Sequence, residues 1–136
     1  MTGILYIIAT PIGNIEDITL RALKIIKSVD YIACEDTRVT VKILNFYQLF
    51  SPERPQKLIS YYEHNRSVRI PFLIEQLQTG KNVALVTDSG TPGISDPGLT
   101  FISAAAQAKI KIVPVPGPAA VVAAVSASGL VFDRLI

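Results

Sequence analysis

The chain has no tryptophan and only one cysteine, one histidine and one methionine. Cys34 without a second thiol excludes an internal disulfide, and with His64 it cannot assemble a multi-ligand Cys/His zinc site within one chain, so no metal centre is expected. A single thiol is the usage of a reducing compartment. Charged residues are 18% of the chain, below the usual quarter, and the formal net charge is only +2. That weakly basic balance permits an acidic partner such as RNA but does not argue for one, because a nucleic-acid footprint needs a localised patch. Residues 1–9 lack the basic n-region of a secretory leader, and their short apolar core is closed by Pro11. Residues 112–132 carry no charge and are long enough to span a bilayer. Pro114, Pro116, Gly117 and Pro118 nevertheless break them into a strand, a turn and a helix of about three turns. The reading is a soluble, cytoplasmic protein with no membrane partner.

What is abundant is aliphatic. Hydrophobic residues make up 49% of 136 positions, enough for one domain over residues 1–136 with strands buried on both faces. Residues 3–9 form an apolar run closed by Thr10-Pro11-Ile12-Gly13-Asn14, a first strand and its exit. Ile18, Ala22, Ile25 and Val29 then share a helical face, with Asp17 or Thr19 available as cap. Residues 30–34 read as a second strand, leaving through Glu35-Asp36-Thr37-Arg38 into a helix that runs to about Leu49. Residues 50–56, with Pro52 and Pro55, read as a loop and the best place for a surface excursion. A third strand covers residues 57–61, and Ser67 is a candidate cap for a helix ending at Gly80, with Pro71 in its first turn or just beyond. Residues 82–86 are a fourth strand and residues 110–115 a fifth. Between them lies a helix capped by Ser95 or Asp96, with Pro97 as its first residue. The last helix, residues 119–128, is built of small residues that predict very close packing against its neighbours, and it stops at Gly129. Such alternation predicts an α/β fold: an open, mostly parallel five-stranded sheet with helices on both faces.

In that fold every strand exit reaches one edge of the sheet, where open α/β proteins bind ligands. The loops over residues 10–14, 35–38, 61–65 and 88–96 converge there, joined by the turn at 116–118. Their glycines and prolines let a flat ligand approach the backbone while amides and carboxylates read its polar edge, which suits a nucleoside-like cofactor. Several signatures are excluded by spacing. Gly90, Gly93 and Gly98 do not make G-x-G-x-x-G, and Gly80-Lys81-Asn82 lacks the upstream glycine and the hydroxyl of a P-loop. Gly93-Ile94-Ser95-Asp96-Pro97-Gly98 imitates a nucleophile elbow with its second glycine one residue late, and a serine before Asp-Pro reads as a helix cap. Glu35-Asp36-Thr37-Arg38 has two readings: acids at a helix start capped by Thr37, or anchors for ribose hydroxyls with Arg38 pairing an anion. His64 beside Asn65 is either a base or a surface histidine in a loop.

Several loops together resemble one family. Ala9-Thr10-Pro11-Ile12-Gly13-Asn14, Asp17-Ile18-Thr19, Arg21-Ala22, Glu35-Asp36-Thr37-Arg38, Glu63-His64-Asn65, the Asp88 to Gly98 loop and Val115-Pro116-Gly117-Pro118 are similar to the ribosomal RNA small subunit methyltransferase I family, within the tetrapyrrole methylase superfamily. The resemblance implies S-adenosylmethionine-dependent methylation of a cytidine 2′-hydroxyl in small-subunit ribosomal RNA. It assigns Pro11, Gly13, Asp88, Gly90, Thr91, Gly93, Ser95, Pro116, Gly117 and Ala119 to the cofactor. Glu35, Asp36, Arg38, His64 and Asn65 then line the acceptor side as the catalytic set, with the base unassigned. Tyr62 stands where many members carry histidine, Ser89 where alanine is usual, and Ala119 where serine or cysteine is frequent, which removes one hydroxyl from the cofactor side. The resemblance also implies a second domain after Phe132-Asp133-Arg134, so that this chain is an amino-terminal half, inactive alone. Uncovered apolar surface is compatible with a homodimer. The alternatives are a tetrapyrrole or diphthine-type methylase of the same superfamily and a non-catalytic binding or dimerisation module.

Overall fold

A computed structural model describes residues 1–50, 53 and 55–136. Ser51, Pro52 and Arg54, the centre of the expected loop over residues 50–56, lie outside the described residues. The strands are β1 (Ile4–Ile8), β2 (Tyr31–Cys34), β3 (Lys57–Ser60), β4 (Val83–Leu85) and β5 (Lys111–Val115). The helices are α1 (Leu20–Ser28), α2 (Thr37–Phe46), α3 (Arg66–Gln78), α4 (Gly98–Gln107) and α5 (Ala120–Ala127). All strand pairs are parallel, in the order β3-β2-β4-β1-β5, so the expected five-stranded sheet is present.

Alternation along the three inner strands divides the core into two layers. Leu5, Ile7, Tyr31, Ala33, Val83 and Leu85 face one side, where they meet Leu73 and Leu77 of α3 and Phe101 and Ala105 of α4. Ile8, Ile32, Cys34, Ala84 and Val86 face the other, against Ala22 and Ile26 of α1 and Leu44 of α2. Strands buried on both faces need continuous apolar runs, which is why the helices can cover both sides. Pro114 sits in the edge strand β5, where its missing N–H costs no ladder bond to a further strand. Among the described residues no helix is long and apolar enough to cross a membrane.

Several helix ends differ from expectation. Thr19 caps α1, accepting from the Ala22 amide at 3.0 Å. The cap of α2 is Asp36 rather than Thr37, and α2 ends at Phe46 instead of continuing to about Leu49. The reason is a Schellman closure: Leu49 N–H donates to the Leu44 carbonyl at 2.8 Å and Gln48 N–H to Asn45 at 3.1 Å, with Gln48 at φ +52°. The same closure ends α4, with Lys109 at φ +56°, and α3, with Gly80 at φ +89°. A 3₁₀ turn over Glu63–Asn65 runs directly into α3, so the helix starts one residue before Ser67 and Pro71 lies in its interior. Pro97 immediately precedes α4 instead of being its first residue.

The expectation of a tightly packed last helix is overturned. No residue of α5 is buried, and Val121 and Val122 are 55% and 67% exposed. Small side chains permit close packing only where a neighbour is present.

Lys109→Gly removes the Cβ strain of a left-handed residue at an exposed helix end and should raise the unfolding free energy by about 1 kcal/mol. Urea denaturation of the variant beside the wild type measures the change.

Candidate functional site

The crevice follows from strand order. The chain moves from β1 to β2 to β3, then returns to insert β4 between β2 and β1 and place β5 beyond β1. Right-handed crossovers put α1 and α2 on one face and α3 and α4 on the other. The exits of the adjacent strands β1 and β4 therefore diverge towards opposite faces, which opens a topological switch point between them. Across its base, Thr10 and Gly90 exchange both backbone hydrogen bonds at 3.0 Å. Thr10 is buried, and its hydroxyl donates to the Thr87 carbonyl at 3.1 Å. Gly90 adopts φ +82°, and a Cβ there would stand 3.4 Å from Ile12 Cγ2. The left-handed backbone favours glycine there, while the distance to Ile12 is an ordinary van der Waals contact.

Above this bridge lies a cleft of about 340 Å³ lined by Ile12, Ser89, Gly90, Thr91, Ile94, Ser95, Ala119, Ala120, Val121 and Val122. That volume is within the range of small-molecule sites. A more open hollow of about 490 Å³ adjoins it, shares Ile12 and Ala119, and is bordered by Glu16, Asp17 and Thr19.

Side chains staple the long β4 exit in place. The Thr91 hydroxyl donates to the Pro118 carbonyl at 2.8 Å, tying the β4 loop to the β5 turn. Asp96 uses both carboxylate oxygens on its own loop, accepting from Gly93 N–H at 2.9 Å and Gly98 N–H at 2.8 Å. Gly93 has φ +82°, with Ile102 beneath it. The β2 and β4 exits are joined reciprocally: Glu35 accepts from Asp88 N–H at 3.2 Å, and Asp88 accepts from Asp36 N–H at 3.1 Å.

The acceptor-side residues divide into two groups. Glu35 and Asp36 adjoin Asp88, as just described. Arg38 is exposed and holds Asp36 through a bidentate pair, with its shortest contact at 2.7 Å. Hydrogen bonds from Arg38 hold the Asp36 carboxyl down to about 2, well below its ordinary 3.8. His64 and Asn65 sit on the β3 exit. His64 is exposed, with its ring 6.5 Å from that of Tyr62 in a T-shaped arrangement. Asn65 is engaged locally, donating to the Ser60 carbonyl and accepting from Tyr62 N–H, both at 2.9 Å.

Of the residues assigned to the cofactor, Gly90, Thr91, Ser95 and Ala119 line the cleft. Gly93 and Asp88 shape its loop. Gly117 packs beneath, where a Cβ would come 3.0 Å from Ala9 Cβ. Pro11, Gly13 and Pro116 lie on the adjoining turns and outside the lining. Ser89 and Ile94 lie in the 88–96 loop already read as part of the site, whereas Ile12 and the first turn of α5 were not singled out from the sequence, although Ile12 and Ala120 directly neighbour residues that were. Asp96 was read only as a cap, and nothing in the local pattern marks its bond to Gly93. Among the described residues no cluster of acids, cysteines and histidine could hold a metal ion.

The family model for tetrapyrrole (corrin/porphyrin) methylases matches residues 4–134. Curated relatives bear the name ribosomal RNA small subunit methyltransferase I. The protein from Synechocystis is 49% identical over 98% of this chain and 46% of its own length. That from Bacillus subtilis is 47% identical over 95% of this chain and 42% of its own. The chain thus spans about half the length of the curated relatives it matches. Among solved structures, uroporphyrin-III-C-methyltransferase from Thermus thermophilus superposes with a TM-score of 0.68 at 23% identity, over 96% of this chain and 54% of that one. A cobalt precorrin-4 methyltransferase of cobalamin biosynthesis gives 0.70 at 22%, over 92% and 50%. At those identities the likeness is one of fold.

The lowered Asp36 carboxyl has a direct check. Because its folded value lies below the ordinary 3.8, the contribution of the pair to stability is present above 3.8 and is lost as pH falls through about 2. Carboxyl-carbon NMR should show Asp36 titrating near 2, and Arg38→Ala should return it towards 3.8.

Proposed function

The chain belongs to the tetrapyrrole (corrin/porphyrin) methylase family, and on that premise we propose that it serves S-adenosylmethionine-dependent methylation of a cytidine 2′-hydroxyl in small-subunit ribosomal RNA. The observation that carries this reading is near-50% identity to small-subunit methyltransferases along almost the whole chain.

The cleft suits the cofactor. Ile12, Ile94, Val121 and Val122 supply an apolar wall for a planar base, and Ser89 and Ser95 supply hydroxyls at its rim. Gly90 keeps the floor free of a side chain that would otherwise fill it. When bound, S-adenosylmethionine supplies an electrophilic methyl on a sulfonium, and in the transfer a C–O bond forms as the C–S bond breaks and the ribose hydroxyl releases its proton. An in-line displacement rewards alignment above all, so the stapled loop does most of the work assigned to this chain. A ribose hydroxyl is a poor nucleophile and gains from a nearby acceptor. Asp36 is already engaged by Arg38 through a bidentate pair and caps α2, so it acts as an anchor. Glu35 and His64 are the remaining acceptors among the residues assigned to this side.

We further propose that this domain is one wall of the site and that a second domain supplies the other. Support comes from the length of the relatives and from the apolar strip of Val121, Val122, Leu130, Val131 and Phe132, all exposed.

The test is methyl transfer by the full-length protein to undermethylated small ribosomal subunits. Label is expected in a ribose of the ribosomal RNA, and Gly90→Val should weaken cofactor binding in calorimetry by more than about tenfold. Transfer to a tetrapyrrole with none to RNA, or undiminished affinity in the variant, contradicts the proposal.

A further inference from the structure

Tyr61 is the first residue after β3 and is 1% exposed. Its ring packs against Phe101 of α4, with centroids 5.8 Å apart, and its N–H donates to the Cys34 carbonyl at 2.7 Å. Its hydroxyl donates to the Pro97 carbonyl at 2.6 Å. Burial pushes the phenol above its ordinary range, so it remains a neutral donor at physiological pH.

That bond has an unusual reach. Strand β2 separates β3 from β4, so Tyr61 ties together two exits that are not neighbours in the sheet. The first half of the 88–98 loop is attached elsewhere, through Asp88 to Glu35, Gly90 to Thr10 and Thr91 to Pro118. In the second half, Asp96 bonds to Gly93 of the same loop and to Gly98, the first residue of α4, and to no other strand exit. Among the described residues, the Tyr61 hydroxyl is the side-chain donor that joins this half to another strand exit. The half includes Ile94 and Ser95 of the cleft. Tyr61 also leads into the turn that carries His64, so one residue anchors both the cofactor loop and the acceptor loop.

We propose that Tyr61 is a positioning residue: its hydroxyl fixes the far half of the 88–98 loop and thereby sets the affinity of the cleft for a nucleoside-type cofactor. The inference rests on the cofactor reading given under the proposed function. Neither composition nor motif points to Tyr61, since its role comes from a contact between distant segments.

Tyr61→Phe keeps the ring and removes only the donor, leaving the Pro97 carbonyl with the longer bond from the Thr100 N–H at 3.3 Å but with no tie to the β3 exit. In the full-length protein, S-adenosylhomocysteine affinity by calorimetry should fall about threefold to tenfold, the range expected for one neutral hydrogen bond. Amide hydrogen exchange without ligand should accelerate at Gly93 and Gly98, whose amides bond to Asp96, and stay unchanged at Gly3 on the opposite edge of the sheet. At saturating cofactor kcat should be preserved, with the loss appearing in the cofactor KM. Ile26→Val, in the opposite core layer, is the control: it lowers the melting temperature and leaves cofactor affinity intact. Unchanged affinity and unchanged loop exchange in Tyr61→Phe overturn the inference, as does an equal loss of affinity in Ile26→Val. A wild-type protein that binds no S-adenosyl compound removes the cofactor reading and this inference with it. Intact wild-type binding with an unaltered Tyr61→Phe variant removes this inference alone.

Discussion

Two backbone hydrogen bonds, exchanged between Thr10 and Gly90 where β1 and β4 end, form the base of the candidate cleft. Strand order sends the two exits to opposite faces of the sheet, and without a cross-link the loops would be free to drift apart or to close over the strand ends. The bridge lets them separate above a fixed base. Glycine at position 90 suits the pairing because its left-handed backbone, at φ +82°, is one that side-chain-bearing residues rarely adopt. The near half of the loop is referred to that base: Ser89 and Thr91 by continuity of chain, and Pro118 through the Thr91 hydroxyl.

Charge is used at this edge chiefly to hold backbone. Glu35, Asp88 and Asp96 all accept from main-chain amides, and Asp36 is occupied by Arg38 as well as by the helix it caps. Carboxylates that look like a catalytic cluster in the sequence are therefore also struts, and removing one would move loops as well as chemistry. Backbone amides are strong donors that need partners, and a long polar loop with no ladder of its own must find them in side chains.

The sheet was legible because double-sided burial leaves an unmistakable pattern of short aliphatic runs separated by Gly- and Pro-rich exits. Converging exits then followed from parallel topology, and a cleft does lie among them. Helix ends were less legible. Of the Schellman closures, one uses Gly80, as local chemistry suggests, but Gln48 and Lys109 occupy the same left-handed position without a glycine to signal it. Pro71 misled for a related reason: a 3₁₀ turn extends α3 backwards and moves the proline inside. Small residues in α5 suggested close packing, yet composition reports what a surface could accept and not whether anything covers it. Asp96 and Tyr61 were hidden because their partners are chosen by tertiary placement: Gly93 folds back across a loop, and Pro97 is brought to β3 over an intervening strand.

Amide chemical-shift mapping of the full-length protein during titration with S-adenosylhomocysteine tests whether the β1–β4 switch point is the cofactor wall proposed above. Saturable shifts are expected at Ile12, residues 89–95 and residues 119–122, with little change along α3 and the outer face of α4. Saturable shifts centred elsewhere in this domain, or none in it at all, would refute that assignment.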